Sequence, residues 1–147
     1  HMENNPTLAI DYGEKNFGLA ISDSKGIIAS PLDTLSISKN TDIQTIINNI
    51  ENICQEYRVK RVVVGMPQVF EETQRKTEEK INKFLDLLRN SLNIPILTYD
   101  ESFSTSEAKN MLTSSGQNFK SYKNKIDRVA ATVFLQEFLN SENQKNE

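Results

Sequence analysis

The segment that most constrains this chain is Arg61-Val62-Val63-Val64-Gly65, a β-branched run with no polar alternation. A strand of this kind has no face to offer to water, so it belongs in the centre of a sheet covered on both sides. Helical patterns flank it. Ahead of it, Ile43, Ile46, Ile47, Ile50, Ile53, Cys54 and Tyr57 recur at three-four spacing, and Thr41 with Gln44 reads as a capping box at the helix start. Behind it, Thr77, Ile81, Phe84, Leu85 and Leu88 form one stripe of a helix expected from about Glu71 to Asn90. A buried strand between two amphipathic helices implies right-handed crossovers and a parallel pairing, hence an α/β fold.

The remaining segments complete the sheet. Leu8 to Asp11 and Phe17 to Ile21 read as a hairpin, and the turn Asp23-Ser24-Lys25-Gly26 leads to a third strand at Ile27-Ile28-Ala29. Ile94 to Tyr99 reads as a strand whose Pro95 places it at the edge. Ser104 and Glu107 open a short helix with Ala108, Met111 and Leu112, which stops near Gly116. A polar loop and a last helix from about Lys125 follow, with Ile126, Val129, Ala130, Val133, Phe134 and Phe138 apolar. The expectation is one domain over residues 3–140 with a five-stranded mixed sheet in the order 3-2-1-4-5, flanked by helices. Residues 141–147 read as a polar, frayed tail.

Composition narrows the chemistry. The only histidine among 147 residues is His1, and His1-Met2 reads as the remnant of a cleaved tag, so the natural chain is expected to start at Met2 and to lack histidine. One cysteine, Cys54, supports neither an internal disulfide nor a zinc site. No long apolar run or signal segment is visible, and the expected location is the cytoplasm, away from membranes. A net charge of −3 excludes a pervasively basic, nucleic-acid-coating protein, so any polyanion must meet a local patch.

Three carboxylates stand where solvation is not their obvious role. Asp11 ends an apolar strand, and Gly13 beyond it would let a ligand approach; taken alone, Asp11 reads first as a turn former. Glu101 closes the last strand beside Asp100, and strand alternation turns only one of the two toward a shared site, with Asp100 the fallback. Asp127 lies in the first turn of the expected last helix, where the helix dipole alone favours an acid. It also borders the stripe of Ala131, Phe134 and Leu135. If the three converge, their repulsion calls for a hard cation, and an all-oxygen donor set selects Mg2+ or Mn2+. Two such ions activate water and stabilise the leaving oxygen of a phosphodiester without histidine.

The segment from Asp11-Tyr12-Gly13 to Ala20-Ile21-Ser22-Asp23 resembles the opening motif of the YqgF family, also called RuvX, of bacterial Holliday junction resolvase-like nucleases. Val63-Val64-Gly65-Met66-Pro67 is similar to its central-strand motif, Asp100 to Ala108 to its acidic strand exit, and Lys125 to Ala131 to its last-helix motif. The resemblance implies a ribonuclease H-like fold, a divalent-metal phosphodiesterase and Asp11, Glu101 and Asp127 as the acidic triad. It also implies a nucleic-acid substrate, either the precursor of small-subunit ribosomal RNA or branched DNA. The chain departs from the family at Ser102, where an arginine is usual, and at the bulky acidic segment Gln68 to Glu72.

Lys15 is within reach of a phosphate near Asp11, and reads equally as a solvated turn lysine. Lys120, Lys123, Lys125 and Arg128, interleaved with Phe119 and Tyr122, form a local basic cluster suited to nucleic acid, or a solvated loop. The leading reading is a nuclease in which Asp11, Glu101 and Asp127 hold the metal and Lys15 assists, acting as a monomer or weak homodimer. The alternative is a catalytically silent nucleic-acid or partner-binding module of the same fold, favoured by Ser102 and by Glu71-Glu72.

Overall fold

The computed structural model describes residues 3–66, 74–100 and 119–145, with side chains over 3–66, 76–100 and 129–144. The elements are β1 (Thr7–Asp11), β2 (Asn16–Ser22), β3 (Ala29–Pro31), β4 (Leu35–Ser36), α1 (Ile43–Glu56), β5 (Arg61–Met66), α2 (Gln74–Ser91), β6 (Ile96–Asp100) and α3 (Phe119–Lys145). The sheet path is β3-β2-β1-β5-β6. Pairings β1/β2 and β2/β3 are antiparallel, and β1/β5 and β5/β6 are parallel. This is the expected order with one addition, the two-residue β4, which pairs with the start of β2.

Strand alternation sorts the core into two layers. Leu8, Ile10, Leu19, Ile21, Val62 and Val64 pack on the face covered by α1 and α2, with Ile46, Ile50, Phe84 and Leu88. Ala9, Ala20 and Val63 project to the other face, where Ala131, Phe134, Leu135 and Leu139 of α3 cover them. The second layer uses alanine on β1 and β2, so α3 approaches the sheet closely and packs on β2, β3 and β1. Each fully buried Phe or Leu in these layers contributes on the order of 1.5–3 kcal/mol.

Several boundaries differ from expectation for identifiable reasons. The α1 cap is Asp42 rather than Thr41, its carboxylate accepting from the Thr45 N–H at 2.9 Å. The third strand is Ala29–Pro31 because Ile27 and Ile28 are held in the turn, both donating N–H groups to Asp23 Oδ1 at 2.7 and 3.1 Å. Gly26 completes that turn at φ +70°. Pro31 sits on an edge strand, as does Pro95 immediately before β6. The last helix begins at Phe119 instead of Lys125 and continues to Lys145, so residues 141–145 are helical rather than frayed. The expected start of α2 at Glu71 and the short helix from Ser104 to Gly116 lie outside the described residues.

The N-terminal end of β1 carries a buried polar network. Arg61 donates from Nε to Thr7 Oγ1 at 2.8 Å and forks onto Glu142 of α3, with one contact at 2.8 Å. Its guanidinium lies 4.8 Å from the centre of the Phe138 ring. Thr7 Oγ1 donates to Asn5 Oδ1 at 2.6 Å, and the Thr7 N–H donates to Ser22 Oγ at 2.7 Å. Gln136 donates to the Ile27 carbonyl and accepts from the Ala29 N–H, while Asn143 donates to the Gly26 carbonyl. The C-terminal half of α3 is thereby fastened to the β2–β3 turn.

Candidate active site

The opposite end of β1 is built differently. Thr7, Ala9 and Asp11 share a side of the strand, and Ala9 packs against α3, so alternation puts Asp11 on the α3 face. Asp11 stands opposite Gly18 of β2 on one side and Gly65 of β5 on the other, and Gly65 is in turn opposite Tyr99 of β6. A single row across the sheet therefore reads Gly18, Asp11, Gly65, Tyr99. A half-buried carboxylate has no side chain beside it on either neighbouring strand. At an interstrand spacing of about 4.8 Å, Tyr99 begins about 10 Å from Asp11.

Tyr99 leans toward α3. Its ring stacks on Phe134 with centres 5.7 Å apart, and its hydroxyl donates to Glu137 at 3.3 Å. Burial first, and then the Glu137 charge, push this hydroxyl up from its ordinary value and keep it a donor. Tyr12 points to the other face, wedged against Phe17 and Phe84 at 5.4 and 5.3 Å, and burial followed by Glu14 raises its hydroxyl too. That wedge fixes the direction in which the chain leaves Asp11.

The β1–β2 turn depends on Gly13 for a reason other than ligand approach. A Cβ at Gly13 would stand 2.3 Å from the Asn16 carbonyl oxygen, so the turn itself fills the space. Lys15 is exposed in this turn, and its carbonyl accepts from the Ile37 N–H at 2.7 Å, fixing the backbone that presents it.

The other expected site residues divide by position. Asp100 pairs in register with Met66, and Met66 and Ile96 pack on the α1/α2 layer, so Asp100 lies on the face away from Asp11. Glu101 follows it, outside the described residues. Asp127 belongs to the third turn of α3 rather than the first, so the favourable dipole of a helix start does not account for it. It precedes Ala131 and Leu135, which pack on the sheet, by one and two turns, and its side chain is outside the described set. Lys120, Lys123, Lys125 and Arg128 stand on α3, not in a loop, and their side chains are likewise undescribed. Among the described residues no three acids, cysteines or histidines come together as a metal centre. Cys54 is on the buried face of α1, where desolvation and then Glu51 push its thiol up to about 11, which removes it as a nucleophile near neutral pH. Among the described residues no helix is long and apolar enough to cross a membrane.

The glycine row and the Arg61–Glu142 pair escaped the reading of the sequence. The signal for the first was a glycine closing the Val62-Val63-Val64 run; nothing local marks the second.

The architecture recurs in solved structures. Thermus thermophilus RuvC in complex with a Holliday junction substrate superposes with a TM-score of 0.60 at 17% identity, covering 92% of this chain and 94% of that one. The Fowlpox virus resolvase, solved with Holliday junction DNA, gives 0.52 at 14% identity, covering 92% and 97%. The fold is therefore that of the ribonuclease H-like resolvases. A family model described as "RuvX: Holliday junction resolvase" matches residues 5–141, and the chain belongs to that family. A Rickettsia typhi protein named "Putative pre-16S rRNA nuclease" is 37% identical over 138 residues, covering 94% of this chain and 86% of its own. A Halothermothrix orenii protein of the same name is 34% identical over 137 residues, covering 93% and 96%.

Proposed function

We propose that this chain is a nuclease that hydrolyses phosphodiester bonds of structured nucleic acid with Mg2+ or Mn2+. Asp11, Glu101 and Asp127 are its metal ligands, and Lys15 assists at the phosphate. The observation that carries the reading is Asp11 at the C-terminal end of the central strand β1, between two glycines and on the face covered by α3. A ribosomal RNA precursor is the favoured substrate, because relatives above 30% identity carry that name. Four-way DNA is the second, from the family description.

The donor chemistry fits the cation. Carboxylate oxygens are hard donors, and Gly18 and Gly65 place no side chain in register with Asp11 on either neighbouring strand. When bound, the metal supplies charge at the phosphoryl oxygens and lowers the pKa of a water. Asp11 binds and orients, at a position set by β1 pairing on both sides. Lys15, presented by the Gly13 turn, donates to a non-bridging oxygen of the phosphate. Lys120, Lys123, Lys125 and Arg128 neutralise neighbouring phosphates.

The test is cleavage of a labelled 16S precursor fragment and a labelled four-way DNA junction, side by side, with Mg2+, Mn2+ or chelator. Cutting that needs the metal and disappears in Asp11→Asn is the expected result. Retained binding without cutting, unaffected by Asp11→Asn, would replace the nuclease with the silent binding module.

A further inference from the structure

Helix α2 carries three exposed lysines, Lys76, Lys80 and Lys83, whose spacings of four and three set them along one side of the helix, with Glu79 and Asp86 bordering them on the outward side. The buried residue nearest the lysine flank is Phe84, whose ring contacts Tyr12, so this flank faces the β1–β2 turn that follows Asp11. The contact between Lys80 and Glu14, 3.5 Å, fixes that adjacency directly. Lys15 is the next residue of the turn. On a chain of net charge −3, four lysines thus make a basic strip running from the turn beside Asp11 along α2.

Among the described residues, the ion pairing of these lysines does little for the fold. The Lys80–Glu14 pair leaves both side chains more than half exposed, so it adds little stability, and no other described ion pair involves these lysines. The strip matches a polyanion in length as well as sign. Lys76 to Lys83 covers about 10 Å of helix, comparable with about three successive phosphates along the axis of one duplex strand.

We infer that Lys76, Lys80 and Lys83 form a second phosphate-binding track, which continues from Lys15 along α2 and holds the nucleic-acid substrate away from the bond being cut. The inference rests on the nuclease reading and extends it to a surface other than the basic segment of α3. Glu14 is the brake on this track, since it competes with phosphate for Lys80.

The experiment measures binding of the 16S precursor fragment and the four-way junction in chelator, across a salt series, so that no cleavage intervenes. The triple variant Lys76→Gln/Lys80→Gln/Lys83→Gln is compared with wild type and with Lys60→Gln, a lysine outside the strip. Three lost phosphate contacts reduce the log–log salt slope by about two to three units and weaken binding by about tenfold or more near 0.1 M salt. Glu14→Gln shifts binding the other way, by less than one such contact. An unchanged slope and affinity in the triple variant, with wild type binding normally, overturns the track and leaves the nuclease reading standing. Wild type that binds neither polymer overturns both. A triple variant that also melts as wild type does shows that a binding loss arises from charge and not from folding.

Discussion

The two ends of strand β1 solve opposite problems. At Thr7 the strand is part of a buried polar network: Asn5, Ser22, Arg61 and Glu142 tie the strand, its neighbour and the end of α3 together. At Asp11, four residues along and on the same face, the neighbouring strands contribute Gly18 and Gly65, which have no side chains with which to close the site. One end ties its polar groups into the fold, and the other sets a carboxylate between two glycines. On the proposed function, stability and chemistry are separated along a single strand, and substitutions at the two ends should have different consequences.

The sharpest test of that separation is Asp11→Asn, which should lower metal-dependent cleavage by about a thousandfold or more while leaving the melting temperature within a degree or two. A variant that unfolds, or that cleaves normally, would erase the distinction. Arg61→Met is the converse. It strands the Glu142 carboxylate and an acceptor of Thr7, and should cost about 3 kcal/mol in denaturant titration, at the low end for a broken buried pair because Glu142 keeps some contact with water. The variant that remains folded should cleave at the wild-type rate.

Gly65→Ala probes the open end without removing charge. A methyl group beside Asp11 should reduce cleavage at least about tenfold, with a stability change below about 1 kcal/mol. Loss of stability without loss of cleavage would show that the glycine serves packing instead. The smallest effect is at the closed end. Desolvation is the largest single influence on Asp23 and opposes its ionisation, but the backbone N–H groups of Ile28, Ile27, Asp23 and Lys25 together outweigh it and hold the carboxyl below its usual value. A depressed folded pKa means the contribution to the β2–β3 turn is present above about pH 4 and is lost as pH falls through the folded value. The amide resonances of Ile27 and Ile28 should report that titration below the midpoint of a free aspartate, and a midpoint at or above it would contradict the turn.

Much of the fold was legible because it is written locally. The Val62-Val63-Val64 run, the α1 stripe and Pro95 each carry their own signal, and together they yield the sheet path. The misreadings have a common cause. Ser141 to Lys145 looks like a tail because it is polar, yet Glu142 and Asn143 are held by partners at Arg61 and Gly26. Ile27 and Ile28 look like a strand because they are apolar, yet they are 52% and 60% exposed, with their N–H groups taken by Asp23. Gly13 looked like an opening for a ligand, and the Asn16 carbonyl occupies that place.

For the site, the sequence alone determined that Asp11 ends a strand and that the one histidine is His1, since an apolar run and the composition are properties of the chain itself. It also determined that β5 is central and β6 outermost. Only the tertiary structure decided that Asp11 shares its face with α3, that Asp100 does not, and that Gly18 and Gly65 stand on either side of the carboxylate. Alternation along a strand offers two faces, and the choice between them is made by register with partner strands and by the helix that packs above them. Those are contacts between residues distant in sequence, such as Arg61 with Glu142, which a local pattern does not encode.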